Sequence, residues 1–139
     1  ILIDKVDSAY RIKVSSEIGT QMPVLGGAGI KAMLAQVSDE GIDHILSRTE
    51  LSQFTRHSIT DKAAYKAEIL KVRNEGVAYD REEYIEGMVA FAVPVEAYGR
   101  DVQAAIWAVA LAHQASSPFI SEITHLLKGI REEINVRLR

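Results

Sequence analysis

The residues best placed to do chemistry lie in the run Pro23-Val24-Leu25-Gly26-Gly27-Ala28-Gly29-Ile30-Lys31-Ala32-Met33-Leu34-Ala35, a glycine-rich turn that leads straight into an amphipathic pattern. Glycine lets the backbone bend and come close to a ligand. The first N–H groups of a helix have no partner within it, so a small carboxylate or phosphate can rest against them. The run lacks the Lys-Ser/Thr ending of a phosphate-binding loop and the GxGxxG spacing of a dinucleotide site, which sets a nucleotide aside and leaves a small anion. Gly26, Gly27 and Gly29 have a second use, close packing of the helix on a sheet, and the residues alone leave both open.

The other reactive side chains form no catalytic set. His44, His57, His113 and His125 are scattered without HxH or HExxH spacing, as expected of ordinary surface or packing histidines. There is no GxSxG, and Ser116-Ser117 precedes Pro118, where turn chemistry accounts for the pair. Asp80, Glu82, Glu83 and Glu86 could act as an acid/base group. Acidic residues that follow a strand and open a short helix are, however, normally solvated or matched to the helix dipole. With no cysteine in the chain, thiolate metal sites and disulfides are excluded. The expectation is a chain that is not an enzyme and holds neither metal nor cofactor.

The elements that position the glycine turn can be read from periodicity. Ile1 to Ile3 and Tyr10 to Val14 read as two strands of an opening hairpin turning at Asp7-Ser8. A helix from about Ala28 to Val37 carries Ile30, Met33, Leu34 and Val37 on one face. Ser38-Asp39-Glu40 starts a second helix with Ile42, Ile45 and Leu46 inward. Thr60-Asp61 caps a third that carries Tyr65, Ile69 and Val72 and ends at Asn74 and Gly76. Val77 to Tyr79, Met88 to Val95 and Val102 to Leu111 read as strands, the last two joined by a turn at Tyr98-Gly99-Arg100-Asp101. Pro118 opens a long last helix whose Ile120, Ile123, Leu127, Ile130, Ile134 and Leu138 call for an apolar partner along its whole length. Strands adjacent in sequence predict an α+β domain with a largely antiparallel sheet.

A length of 139 residues, 47% of them hydrophobic and 25% charged, fits one soluble domain. The net charge of -3 offers phosphate backbones no general attraction, so nucleic-acid contact would come from elsewhere. No stretch reaches the roughly 18 to 20 apolar residues of a membrane span. The chain opens at Ile1 in mid-pattern without an initiating Met, as expected of a domain cut from a longer protein.

Several of these blocks, taken in order, resemble one family. Gly19, Pro23 and Ala28 to Ala35 come first, then Thr55 and Thr60. The run Val72-Arg73-Asn74-Glu75-Gly76-Val77-Ala78-Tyr79-Asp80-Arg81-Glu82-Glu83 follows, with Gly87, Ala92-Val93-Pro94-Val95 and Ala104-Ala105-Ile106 after it. This order resembles the effector-binding domain of IclR-type transcriptional regulators over nearly the whole chain, and the "VRxxGxAxDxEE", "G" and "AxPV" spacing is its most specific part.

The resemblance implies a GAF-like (profilin-like) curved antiparallel sheet flanked by helices. It also implies a small-molecule effector, a homodimer or homotetramer, a cytoplasmic location and no membrane. DNA would be bound only through an N-terminal winged helix-turn-helix domain lying outside residues 1–139. Carried over by position, the pocket would be lined by Val14, Met22, Ala28, Gly29, Asp80, Met88, Ala90, Trp107 and Val109. An effector carboxylate would meet the backbone N–H groups of Ala28 and Gly29. This chain departs from the pattern at Ile30, usually glycine, at Ala90, usually cysteine, and at Trp107 and Val109, where small polar residues are usual. Two uses of Trp107 follow: stacking on an aromatic or apolar effector, or filling a vestigial pocket in a module that only holds an oligomer together.

Overall fold

The computed structural model describes residues 1–96 and 102–139. In chain order it contains α1 (Gly27–Leu34), α2 (Asp39–Arg48), α3 (Lys62–Glu75), β1 (Ala78–Arg81), β2 (Met88–Glu96), β3 (Gln103–Leu111), a 3₁₀ turn at Ala112–Gln114 and α4 (Ser117–Leu138). The fold is α+β, built on an antiparallel sheet of order β1-β2-β3. The expected turn at Tyr98 to Asp101 lies outside the described residues.

The period-two alternation of β2 divides the core. Ala90 and Ala92 join a cluster with Ala28, Ala32 and Leu34 of α1, Ile42 and Leu46 of α2, and Tyr65, Ile69 and Val72 of α3. Phe91 and Val93 point the other way and pack with Val77, Leu127 and the half-buried Phe119, Ile120 and Ile123 of α4. Two faces of one strand thus hold two helix layers. Small side chains on the first face, Ala78, Ala90 and Ala92, let α1 lie close to the sheet.

Local chemistry sets the helix ends. Ser38 Oγ accepts from the Gly41 N–H at the start of α2, and Asp61 Oδ2 accepts from the Ala64 N–H at the start of α3. Gly76, at φ +74°, ends α3 in the left-handed region with its N–H bonded to the Val72 carbonyl. Arg73 of α3 then ties the segment after α1, donating to the Ala35 and Val37 carbonyls and to Asp39.

One expectation is corrected. Residues 1–20 form no strand, and Ile1, Ile3 and Ile12 are exposed. Two backbone bonds, Leu2 N–H to the Thr20 carbonyl and Gly19 N–H to the Leu2 carbonyl, close the segment as a loop. Within it Asp7 accepts from Ser15 and is paired with Lys5 and Lys13, so polar side-chain bonds stand where a ladder was expected. Alternation marks a strand only where another strand or a core face receives it. Within this chain the sheet covers part of the last helix's apolar row: Leu127 packs on it, while Ile130 and Leu138 are exposed.

Candidate functional site

The site is built where the glycine turn enters α1. Leu25 holds a left-handed backbone at φ 63°, Gly26 is extended, and Gly27 returns to φ +77° as the first helical residue. No side chain caps this helix, so its first N–H groups keep the donor capacity that Ser38 and Asp61 satisfy in α2 and α3. Glu82, also at positive φ, stands across from this entry next to Glu83. Leu25 and Glu82 are the non-glycine residues in the left-handed region among those described, and strain of this kind costs about 1–3 kcal/mol per residue. Leu25 lines one small void, as does Glu83, the neighbour of Glu82.

Facing the α1 start is the row formed by strand register. Asp80 pairs with Ala90, and Ala90 with Val109, while Ala78, Ala92 and Trp107 form the next row. Met88 pairs with Leu111 at the end of the ladder. A Cβ on Gly27 would lie 3.7 Å from Asp80 Oδ2 and 4.0 Å from Met22 Cε. A Cβ on Gly29 would come within 3.3 Å of Trp107 Cε3. The arrangement therefore brings together Met22, Ala28, Gly29, Asp80, Ala90 and Trp107, with Met88 and Val109 further along the same sheet face. Val14 is half-buried in the preceding loop, and no described contact joins it to this group.

Lys31, Thr55, Ser58 and Tyr65, to which the residue pattern assigned no role in a site, gather around Asp80 and the turn that follows it. Lys31, only 1% exposed, donates from Nζ to the Tyr79 carbonyl at 2.8 Å and forms an ion pair with Glu83 Oε2. The Glu83 N–H donates to Asp80 Oδ1 at 2.7 Å. Thr55 Oγ1 donates to the Glu82 carbonyl and Ser58 Oγ to the Glu83 carbonyl, at 2.6 and 2.7 Å, which fastens the loop of residues 51–59 over the turn. Tyr65, on α3, is 2% exposed. Lys31 carried one signal: it recurs with Ala28, Ala32 and Ala35 on the buried face of α1, a lone cation in a row of small residues.

Asp80 and Glu83 are consequently not the solvated groups expected from their sequence position, whereas Glu86 is exposed as expected. Residues 82–87 form bends and turns, not a short helix, and Asp80 is 5% exposed. Burial pushes its carboxyl above the usual range. The Glu83 N–H draws it down, the Glu83 charge raises it and the Lys31 charge lowers it. Burial likewise drives the Tyr65 hydroxyl upward, with the Glu83 and Asp80 charges adding to the effect.

Leu25, Gly26, Gly27, Phe54, Tyr65 and Glu83 are among the residues lining the void, whose volume is about 10 Å³, the space of about one water-sized probe. A larger cleft of about 550 Å³ lies at the other end of α1, lined by Ala35, Gln36, Arg73, Pro94, Val102 and Arg131 among others. Among the described residues there is no group of three or more His, Asp or Glu that could hold a metal, and no helix long and apolar enough to cross a membrane.

An antiparallel sheet with an uncapped helix start on one face and a long helix on the other is the architecture this chain shares with the C-terminal domains of bacterial transcriptional regulators. Residues 1–136 match the family described as "Bacterial transcriptional regulator IclR C-terminal", and the chain belongs to that family. It is 35% identical over 121 residues to the HTH-type transcriptional regulator Rv1719 of Mycobacterium tuberculosis, covering 75% of this chain and 46% of that protein. It is 29% identical to the transcriptional repressor IclR of Escherichia coli, covering 76% and 39%. The IclR crystal structure from Thermotoga maritima superposes with a TM-score of 0.89 at 29% identity, over 97% of this chain and 55% of that one. The C-terminal domain of Escherichia coli KdgR gives 0.80 at 26% identity, over 99% and 84%. The chain spans less than half the length of these two curated relatives, which are named as transcriptional regulators and not as enzymes.

Proposed function

We propose that residues 1–139 are the effector-binding domain of a DNA-binding regulator, and that the effector is a small organic or aromatic carboxylate received at the start of α1. The observation that carries this reading is the uncapped first turn of α1, with Gly27 set against Asp80 and Gly29 against the Trp107 ring. Its N–H groups suit a carboxylate, and Trp107 supplies an apolar wall for the rest of the molecule. The effector acts by binding one arrangement of the domain or its homo-oligomer more tightly than another, which shifts the spacing of attached DNA-binding domains. DNA contact on this reading belongs to a separate N-terminal domain of a cytoplasmic protein.

Thermal unfolding of the chain against acetate, hexanoate and benzoate tests the reading. An acid that binds only the native state at 100 times its Kd adds about 2.7 kcal/mol of stability. A saturable rise in Tm that Gly29→Val abolishes is the expected result, because a side chain there meets both the ligand and the Trp107 ring. No rise with any acid refutes it.

A second reading has its own observation. The Trp107 ring lies over Gly29 and occupies the space that a ligand would use. On that reading the pocket is vestigial and the domain serves to hold an oligomer together.

A further inference from the structure

A buried hydroxyl needs a hydrogen-bond partner, and an orphan costs the desolvation of that group. Tyr65 Oη is such an orphan: it is buried and bonds to nothing among the described residues. The residue lines the void at the α1 entry together with Gly26 and Gly27. The polar atoms nearby are largely engaged, since Asp80 Oδ1 takes the Glu83 N–H and Glu83 Oε2 takes Lys31 Nζ. This corner presents two sets of donors, a phenol O–H from α3 and the uncapped N–H groups of α1, beside the Glu83 carboxylate, which lines the void and is held by Lys31, and Asp80, whose Oδ2 faces Gly27.

We propose that the Tyr65 hydroxyl is a ligand-binding group of this site, donating to one oxygen of the bound carboxylate while the first N–H groups of α1 hold the other. The inference rests on the reading of the site given above and adds a contact from α3. The void of about 10 Å³ has room for a single oxygen and not for a whole metabolite. It therefore takes the polar end of the molecule and selects acids whose carboxylate is unhindered, the body lying toward Trp107.

The test is Tyr65→Phe, which keeps the ring and removes only the oxygen, compared with wild type by thermal unfolding alone and in titrations with acetate, hexanoate and benzoate. The expected result has two parts. Without ligand the variant unfolds at or above the wild-type temperature, because an unsatisfied buried group has been removed. With the acid that stabilises wild type, its Kd is weaker by about tenfold, the loss of one hydrogen bond to a charged acceptor. Equal Kd values overturn this inference and leave the carboxylate reading standing. A Tm several degrees lower without ligand also overturns it, because the hydroxyl would then be bonded within the fold. Failure of every acid to stabilise wild type overturns the carboxylate reading and the Tyr65 role together.

Discussion

Replacing Glu83 by Gln removes a charge and little else, so it isolates what the buried pair with Lys31 contributes. Lys31 is 1% exposed and keeps only the Tyr79 carbonyl as a firm acceptor once the carboxylate is gone. Breaking one side of a buried ion pair costs about 3–5 kcal/mol. Because the Glu83 side chain is 14% exposed, some water reaches the pair, and the lower end, about 3 kcal/mol, applies. Lys31→Met is expected to cost less, about 1–2 kcal/mol, since the carboxylate left behind can be hydrated and the thioether fills the stem's space. The double variant Lys31→Met/Glu83→Gln leaves no stranded charge and should cost about 2–3 kcal/mol, about 2 kcal/mol less than the sum of the two single variants. Urea unfolding at pH 7 reads all four proteins. With a slope of about 2 kcal/mol/M, Glu83→Gln lowers the midpoint by roughly 1.5 M. Strict additivity of the two single variants, or a Glu83→Gln cost under about 1 kcal/mol, would refute the claim that this pair anchors α1 to the turn after β1.

Two further perturbations test the same corner. Asp80 has a folded-state pKa raised above 3.8, so its contribution to stability is fully present below that value and is lost as pH rises through the folded pKa. Asp80→Asn is free of this loss, and its stability relative to wild type should therefore grow as pH rises above about 4 in urea unfolding; a difference independent of pH would refute it. Trp107→Ala should destabilise the domain by about 3 kcal/mol, the lower end for a Trp cavity because the ring is half-buried. If the ring is an effector wall, the same change also weakens acid binding. If it is only filler, affinity for the acids is unchanged while stability falls, and the second reading is favoured.

Local chemistry made most of the fold legible in the sequence. The Ser38 and Asp61 caps, the Gly76 stop, the Pro118 start and the strand periods of β2 and β3 each depend on neighbours in sequence, and each stands where expected. What could not be read depends on partners far along the chain. Lys31 and Glu83 are 52 residues apart, and nothing in either segment says that the turn after β1 folds back onto α1. The solvated reading of Asp80 failed for the same reason, because a carboxylate after a strand is exposed unless another element covers it, and here α1 and the loop of residues 51–59 do. The opening hairpin failed in the opposite sense: its alternation was real, but no strand or core face receives it.

The site couples parts of the fold that a ligand could move together. Gly29 touches Trp107 on β3, Gly27 faces Asp80 on β1, and Lys31 one turn later bonds the turn beyond β1, so α1 is held on several sides along two turns. Small displacements of a helix so fixed are not absorbed locally, because close-packed interiors switch between arrangements and do not deform smoothly. On the proposed reading, an acid entering beside Trp107 must lift the ring from Gly29, and the ligand's affinity is reduced by whatever fraction of molecules already hold the open arrangement. That makes Gly29→Ala informative beyond its size. Its methyl meets the ring at 3.3 Å, crowding the closed state without filling the space over Gly26. Tighter binding of an acid by Gly29→Ala than by wild type would identify ring displacement as the step that limits affinity, whereas weaker binding would mean the methyl stands where the ligand does.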